Sequence, residues 1–249
     1  MTKGARPLAF AALLCVSAVT GAQEREALTR LSGFWMAKFV DEPRGQALID
    51  ELPESTNLLV DTFAVPELPI GDFGGLKVTP RVLEEIENYD AAAQRGPSEA
   101  CVPPSVTYVM QAPFPMEVHA TAELIVFKME YYDLVRLVFM DGRKHPGPDA
   151  PHTKVGHSVG RWEGRDLVVD TTHLAAATMF NNGFNHSDGL HLVERFRVSP
   201  DGKTLWITQL YEDPATFEGR AARYMAFARG PDDGYVYPFD CDPGYATDD

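Results

Sequence analysis

Short runs of β-branched and aromatic residues recur along most of this chain, and glycine-containing turn signals separate many of them. Runs of this kind predict strands, and the Asp-Gly and Glu-Gly pairs between them predict tight turns. The turn signals are Asp141-Gly142, Glu163-Gly164, Asp201-Gly202 and Asp233-Gly234. An opening strand is predicted within 31–40, and later strands at 105–111, 123–131, 132–140, 154–161, 166–173, 190–198, 204–212 and 220–229.

A closed sheet is the arrangement that best suits so many short strands. Tight turns between successive strands favour antiparallel pairing, and closure into a barrel removes the unpaired edges that attract other chains. We therefore predict a mainly β fold, an antiparallel up-and-down β-barrel, in preference to a sandwich. The chain has no evident internal repeat, which disfavours a propeller.

One helix is well signalled ahead of most of the strands. Thr79 can cap a helix, Pro80 suits the first helical position, and apolar residues follow at helical spacing until Gly96. This pattern predicts a helix near 79–95, and a shorter amphipathic helix is predicted over 24–31.

The N-terminus has the pattern of a secretory signal. Lys3 and Arg6 precede the apolar run 8–19, and small residues follow up to Ala22. The apolar run is shorter than the roughly 20 residues that span a membrane. We predict a signal peptide over 1–22, a single barrel domain with an acidic C-terminal tail over 23–249, and a periplasmic or secreted location.

Cleavage of this signal would remove Cys15 and leave Cys101 and Cys241. An even number of cysteines in an exported chain favours a disulfide between them, the alternative being two unpaired buried thiols. The chain after Pro231 has six aspartates and no basic residue, so we expect a solvated edge held only by Cys241.

The charge of the chain disfavours some partners. With 22 basic and 36 acidic residues, the formal net charge is −14. Nucleic acids and anionic membranes are therefore not expected as partners, and stable membrane insertion is not expected either.

The segment 185–195 concentrates groups that can transfer protons. It contains His186, Asp188, His191 and Glu194, which suit acid/base catalysis, a metal site or a solvated loop. Side chains two residues apart share a face of a strand, so Glu194 falls on the apolar face and His191 on the other. We predict that Glu194 points inward, while His186 and Asp188 belong to a loop at the pocket rim.

A partner for Glu194 is predicted from an earlier strand. Arg136 is the only charge on its strand face, and its planar guanidinium suits either a carboxylate in the lumen or an oxygen of a ligand. A purely structural ion pair is the alternative. The same logic makes weaker candidates of Glu130, Asp170, Gln209 and Tyr211.

Metal binding is the less favoured reading of these residues. His191 and Glu194 should point to opposite faces unless a bulge intervenes, and the His186 to His191 spacing matches no common metal motif. Four further histidines are available from neighbouring segments: His145, His152, His157 and His173. The chain also lacks glycine-rich phosphate loops and a Gly-x-Ser-x-Gly elbow, so no cofactor or metal is predicted.

Two resemblances to known proteins follow from short motifs. The series Gly160-Arg161-Trp162-Glu163-Gly164, Leu167-Val168-Val169-Asp170-Thr171, His186-Ser187-Asp188 and Glu194-Arg195 resembles one found in secreted bacterial proteins of unassigned function. That resemblance covers 101–241 and implies a common fold and export, with no activity attached.

The second motif is Leu31-Ser32-Gly33-Phe34-Trp35, which resembles the Gly-x-Trp opening of lipocalin-like (calycin) barrels. In that family the tryptophan plugs one end of the lumen, which implies that Trp35 lines the cavity. The chain departs from the lipocalin pattern because it is longer, has a helix before most strands and lacks a clear C-terminal helix.

These observations predict an exported barrel that encloses a small apolar or carbonyl-bearing ligand. One version is a cofactor-free isomerase, cyclase or lyase, in which Glu194 or a histidine moves a proton while Arg136 steadies negative charge on oxygen. The alternatives are a metal-dependent hydrolase or oxygenase and a non-catalytic carrier or envelope protein.

Overall fold

A computed structural model of the protein describes residues 21–38, 46–60, 68–91 and 100–244. Its strands are β1 (Gly33–Lys38), β2 (Asn57–Val60), β3 (Met116–Ala120), β4 (Leu124–Met129), β5 (Val135–Phe139), β6 (His157–Glu163), β7 (Asp166–Thr172), β8 (Ala177–Thr178), β9 (Asn185–His186), β10 (His191–Val198), β11 (Thr204–Glu212) and β12 (Ala221–Arg229). Its helices are α1 (Gly21–Leu31), α2 (Gln46–Asp50), α3 (Pro80–Glu87) and α4 (Val106–Val109), with a 3-10 turn at Tyr131–Asp133. Most of the predicted signal peptide, residues 1–20, lies outside the described ranges.

Nine described strands close into a barrel. Their order is β1, β3, β4, β5, β6, β7, β10, β11 and β12, and β12 pairs back with β1. Strand β2 adds to the first half of β12, while β1 pairs with its second half. Strands β8 and β9 form a separate two-stranded ribbon. The predicted β-barrel is thus confirmed.

The barrel is mixed, and the prediction of a purely antiparallel up-and-down order is wrong. Strand β6 runs parallel to β5, and β2 runs parallel to β12. A parallel pair needs a long crossover in place of a hairpin. The connection from β5 to β6 contains Pro146, Pro148 and Pro151, which have no backbone N–H to extend a hairpin ladder.

The helical predictions hold in part. Helix α1 matches the predicted amphipathic helix, and α3 begins at Pro80 as predicted but ends at Glu87 instead of near 95. The predicted strand 105–111 is wrong, because its centre forms α4, in which all four residues are buried. The predicted strand 132–140 begins only at Val135, after the 3-10 turn.

The two ends of the barrel differ. At one end, α1 buries Ala27, Leu28 and Leu31, and the indole Nε1 of Trp35 donates a hydrogen bond to the carbonyl of Leu31 at 2.8 Å. The Arg229 guanidinium packs over the Trp35 ring at 4.1 Å. The hairpin turns at Gly164 and Gly202 also have the positive φ that tight turns require. Loops form the opposite end of the barrel, where β10 and β12 begin.

The C-terminal tail is more firmly attached than the sequence predicts. Cys101 and Cys241 form the predicted disulfide, with their Cα atoms 5.7 Å apart. The expectation that Cys241 alone holds the tail is wrong, because three backbone N–H groups of the tail bind carboxylates: Val236 to Glu117, Tyr237 to Glu130 and Phe239 to Asp133. None of the described helices is both long and apolar enough to cross a membrane.

Candidate functional site

The lumen contains the predicted pair of Arg136 and Glu194. Arg136 Nη2 donates to Glu194 Oε2, and the two side chains are 1% and 0% exposed. The same nitrogen contacts Thr171 Oγ1 at 2.8 Å, and Arg136 Nε donates to Ser158 Oγ at 3.1 Å. Strand alternation therefore assigned both inward directions correctly.

This pair continues into a buried polar network. Gln209 Nε2 donates to the second carboxylate oxygen of Glu194 at 2.9 Å, and the Tyr211 hydroxyl donates to Gln209 Oε1 at 2.6 Å. Because both carboxylate oxygens of Glu194 are occupied, Glu194 and Arg136 satisfy each other instead of facing a free cavity. Their geometry is that of a structural buried ion pair.

His191 lies on the outer wall, away from Glu194. Its Nε2 contacts Asp170 Oδ1 at 3.0 Å and its Nδ1 contacts Glu212 Oε2 at 3.0 Å. His145 Nε2 reaches the same Asp170 oxygen at 2.9 Å, and His145 Nδ1 lies 3.0 Å from His157 Nδ1. Asp170 pairs across the sheet with Val193, on the face of His191, so its predicted inward direction is wrong.

The hydrogen bonds on the outer wall determine which of these histidine and aspartate side chains are charged. The hydrogen bond to Asp170 raises the pKa of His191 to about 9, against an opposing effect of burial. Hydrogen bonding to His191 in turn lowers the pKa of Asp170. Burial and the neighbouring His145 lower the pKa of His157. At neutral pH the outer wall therefore holds a protonated His191 paired with an ionised Asp170, and His157 is neutral.

A cleft of about 860 Å³ opens near the barrel end opposite Trp35. It has the size of a small-molecule site. Its wall combines aromatic, apolar, amide and charged side chains. It is lined by Arg81, Glu85, Ala100, Val102, Pro103, Pro104, Tyr108, Tyr131, Tyr132, Lys154, Ala176, Ala177, Thr178, Asn181, Asn185, His186, Ser187 and Asp188.

Tyrosines form one wall of the cleft. Tyr131 stacks on Phe114 with ring centroids 4.5 Å apart, and Tyr132 stacks on Phe239 at 4.8 Å. The Tyr132 hydroxyl donates to the carbonyl of Ala100 at 3.0 Å. Tyr132 has φ 59, a left-handed conformation that is rare for bulky residues and is found at functional sites. Burial raises the pKa of Tyr131, so this wall is uncharged.

His186 contributes to the cleft wall although its side chain is almost fully buried. Its Nδ1 donates to the carbonyl of Ser187 at 2.8 Å, and Ser105 Oγ lies 2.8 Å from its Nε2. Burial lowers the pKa of His186, so the ring is neutral and its Nε2 accepts from Ser105. Ser105 is itself fully buried and bonded to Thr107, so the pair positions the ring and does not present a nucleophile.

The loop beside His186 is fixed by a buried carboxylate. Asp213 accepts from the Ser187 backbone N–H at 2.8 Å and from the Ser187 hydroxyl at 2.7 Å. It also accepts from Thr216 Oγ1 at 2.5 Å. Asp188 follows this anchored residue and is exposed at the cleft rim, as predicted for the loop.

Lys154 is a cation of the cleft wall whose ammonium group has no ion-pair partner among the described residues. Arg81, the other basic side chain of the wall, is bonded to Glu85, to the Ala215 carbonyl and to Thr216. Across the described ranges no carboxylate lies within ion-pair distance of the half-buried Lys154. Its ammonium group is therefore available to an oxygen of a bound molecule.

The remaining predicted site residues lie elsewhere. Glu130 binds the tail through Tyr237 and does not line the cleft, and Trp35 is buried at the opposite end of the barrel. Tyr211 is in the lumen, where its hydroxyl binds Gln209. Within the described chain no three His, Cys, Asp or Glu side chains converge as a metal site would require.

Sequence reasoning missed most of the cleft. Tyr108, Tyr131, Tyr132 and Lys154 come from segments far apart in the chain, and no spacing rule connects them. The clustered tyrosines at 131–132, next to a predicted strand, were the available signal.

Comparison with protein-family models, with curated proteins and with solved structures gave no match to this chain.

Proposed function

We propose that this protein binds a small, largely apolar molecule in the cleft beside His186. The observation that carries the proposal is the cleft itself, about 860 Å³ with an uncharged tyrosine wall and a lysine that no described carboxylate pairs with. Ligand sites typically combine an apolar lining with a few oriented polar groups. The barrel serves as a rigid support for the loops that form this cleft.

Different side chains of the cleft wall would contact different parts of the ligand. Tyr131 and Tyr132 offer aromatic surface for the apolar body of the ligand, held in place by their stacking on Phe114 and Phe239. Lys154 offers an ammonium group to a carbonyl oxygen of the ligand. His186, whose two ring nitrogens are already bonded, supplies a fixed edge of the wall.

Binding without chemical conversion is the version that the geometry supports best. The acid/base mechanism required Glu194 and Arg136 to meet the ligand, and these two side chains are sealed in the lumen network. Neither nitrogen of His186 is free to accept a proton from a ligand. We therefore place the carrier function ahead of an isomerase, cyclase, lyase or metal-dependent enzyme.

We further propose that the protein works outside the cytoplasm. The disulfide between Cys101 and Cys241 supports an oxidising compartment, where such bonds persist. The signal-like sequence at 1–22 agrees with this location.

A blocked cleft tests the proposed function. Ala176 is exposed and lines the cleft, so Ala176→Trp fills it without disturbing the core. Molecules retained through purification are identified by mass spectrometry, and aromatic acids and ketones are screened by thermal shift. We expect wild type to bind at least one compound and Ala176→Trp to lose it, with the melting temperature of the unliganded protein unchanged.

A pair of lysine variants completes the test. Lys154→Met in the cleft should weaken binding of an oxygen-bearing ligand about tenfold, the loss of one charged hydrogen bond. Lys203→Met, at an exposed turn away from the cleft, should leave it unchanged. Equal binding by wild type and Ala176→Trp would exclude the cleft as the ligand site.

A further inference from the structure

Arg223 differs from the other buried charged side chains that the structure describes. Arg136 pairs with Glu194, and Asp166 pairs with Arg195 and Arg197. Asp213, beyond the end of β11, is satisfied by hydrogen bonds. Arg223 is 0% exposed, and no carboxylate of the described chain lies within ion-pair distance. A buried charge without a partner is costly, so this guanidinium requires an explanation.

The unpaired atoms of Arg223 have a specific arrangement. Its Nη1 donates to the carbonyl of Thr107 at 3.2 Å, whereas Nε and Nη2 have no hydrogen-bond partner in the described part of the chain. These two nitrogens lie along one edge of the planar guanidinium, where their N–H bonds run parallel. That edge is the one that binds both oxygens of a carboxylate.

Arg223 faces the lumen near the start of β12, at the barrel end that carries the cleft. It pairs across the sheet with Gln209 of the buried network, and its guanidinium carbon lies 5.2 Å from the centre of the Phe180 ring. Thr107, which holds Nη1, is followed by Tyr108 of the cleft wall. Phe180 is two residues from Thr178, which also lines the cleft.

A second buried residue with an unsatisfied atom, Gln111, lies close to Arg223 in the sequence of contacts through Thr107 and Phe180. Gln111 is one helical turn beyond Thr107, and its Nε2 donates to the carbonyl of Met179. Its Oε1 is buried and has no hydrogen-bond partner among the described residues. Three of the four buried unpaired side-chain atoms of the described chain thus belong to Arg223 and Gln111. Native proteins rarely leave such groups unsatisfied. The two Arg223 nitrogens lack an acceptor, which a carboxylate supplies, whereas the Gln111 oxygen lacks a donor.

The charge of the lumen indicates what the guest is. Among the described residues, the fully buried charged side chains inside the barrel are Arg136, Arg223 and Glu194. Arg136 and Glu194 cancel, which leaves one positive charge. A monoanion restores neutrality, whereas a dianion such as a phosphate monoester would leave a buried negative charge.

We propose that Arg223 is a buried anion subsite that takes the carboxylate of a monocarboxylic ligand, with the apolar body of that ligand in the cleft. The inference rests on the proposed binding function and adds the chemical class of the ligand. Bound this way, the carboxylate accepts from Nε and Nη2 of Arg223, and the ligand passes between Tyr108 and Thr178.

A matched pair of probes tests the proposal. Phenylacetate and phenylacetamide have the same shape and differ in charge, and their binding to the full-length protein is measured by calorimetry. We expect wild type to prefer phenylacetate at least about tenfold, as a charge-assisted pair of hydrogen bonds implies. Arg223→Met should abolish that preference and retain phenylacetamide binding. Arg220→Met, an exposed arginine on the adjoining turn, should keep the preference.

We expect Arg223→Met to fold, so a loss of the charge preference can be assigned to the missing guanidinium. Replacing a buried unpaired charge by an apolar side chain of similar length should raise the melting temperature of the unliganded protein. Phenylacetate should then raise the melting temperature of wild type more than phenylacetamide does, and the two probes should have equal effects on Arg223→Met. A preference for phenylacetate that survives Arg223→Met would overturn the proposal.

Crystals soaked in bromide separate this inference from the proposed function. Anomalous density beside Arg223 Nε and Nη2 supports the anion subsite even if no apolar molecule enters the cleft. A water molecule there, or bromide on the surface only, overturns it. Binding of both probes in the cleft without a charge preference would leave the proposed function standing and remove the subsite.

Discussion

The buried polar side chains of this barrel differ in whether their hydrogen-bonding groups and charges have partners. Arg136, Glu194, Gln209 and Tyr211 form a closed chain of hydrogen bonds, so each depends on its neighbours. Arg223 lies beside these residues, and no carboxylate of the described ranges pairs with it. The difference matters because removing one member of a satisfied buried pair is destabilising, whereas removing an unpaired charge is not.

Glu194→Gln is expected to lower the free energy of unfolding by roughly 3 to 5 kcal/mol, because Arg136 then keeps a buried charge without a carboxylate. Urea denaturation measures the change. The double variant Glu194→Gln with Arg136→Met removes both charges and should recover much of the loss. Equal stability of wild type and the single variant would argue against a structural pair.

His191 gives the stability of the protein a defined pH dependence. Its pKa rises from 6.5 to about 9 on folding, chiefly through the hydrogen bond to Asp170. A raised folded-state pKa means that the folded state holds the proton more tightly. The stabilisation is therefore complete below about pH 6.5 and is lost as the pH rises through 9.

Unfolding of wild type and His191→Gln between pH 6 and 10 checks this expectation. Wild type should lose stability across pH 6.5 to 9, and His191→Gln should lose less. His119→Gln, whose side chain is 64% exposed, serves as the control and should follow wild type. Parallel curves for wild type and His191→Gln would contradict the assignment.

At the level of elements, the crossover from β5 to β6 distinguishes this barrel from a simple meander. It carries His145 to Asp170 on the outer wall and Lys154 to the cleft. It enters β6 through Gly156, which has φ 63. A Cβ there would lie 2.5 Å from the Thr172 carbonyl oxygen and 2.8 Å from Thr171 Cγ2.

Gly156→Ala should therefore destabilise the protein by about 1 to 3 kcal/mol, since both the backbone conformation and the contact with β7 oppose a side chain. Thermal and urea unfolding measure it. Gly147→Ala, in the same crossover with open space around its Cβ position, is the matched control and should be nearly neutral. An unaffected Gly156→Ala would mean that the crossover relaxes freely.

In the whole molecule, the contacts that close the barrel are separate from those that attach the C-terminal tail. Pairing of β1 with β12 closes the barrel, while the disulfide ties the tail to the segment before α4. Phe239 packs against Tyr131 and Tyr132, so the tail also supports the tyrosine wall of the cleft. Loss of the disulfide should therefore affect stability and the cleft more than the sheet.

The double variant Cys101→Ser with Cys241→Ser tests that separation. The bond spans 140 residues, for which the chain-entropy model gives about 5 kcal/mol as an upper value. We expect a lower unfolding midpoint with an unchanged β-sheet signal in circular dichroism. A reducing agent should lower the midpoint of wild type and have no effect on the variant. A wild-type midpoint that is insensitive to reduction would refute this role.

Local patterns were enough to predict most of the barrel strands, the inward Glu194 and Arg136 and the disulfide, but they missed β2 and β3. Alternation along β12 also places Arg223 on the face of Met225 and Phe227, so the same rule could have found it. Nearly every other residue of that strand, however, is apolar or small on both faces, so the sequence pattern does not show which face is inward.

The sequence by itself determined a β-barrel, because the alternation of residue types and the turn glycines act within a few positions of each other. Only the tertiary structure decided that β5 and β6 pair in parallel, that 106–109 is helical and that the cleft gathers Tyr108, Tyr131, Lys154 and His186. These features depend on burial and pairing between distant segments. The free energy of such contacts overrides local preference and leaves no trace in residue spacing.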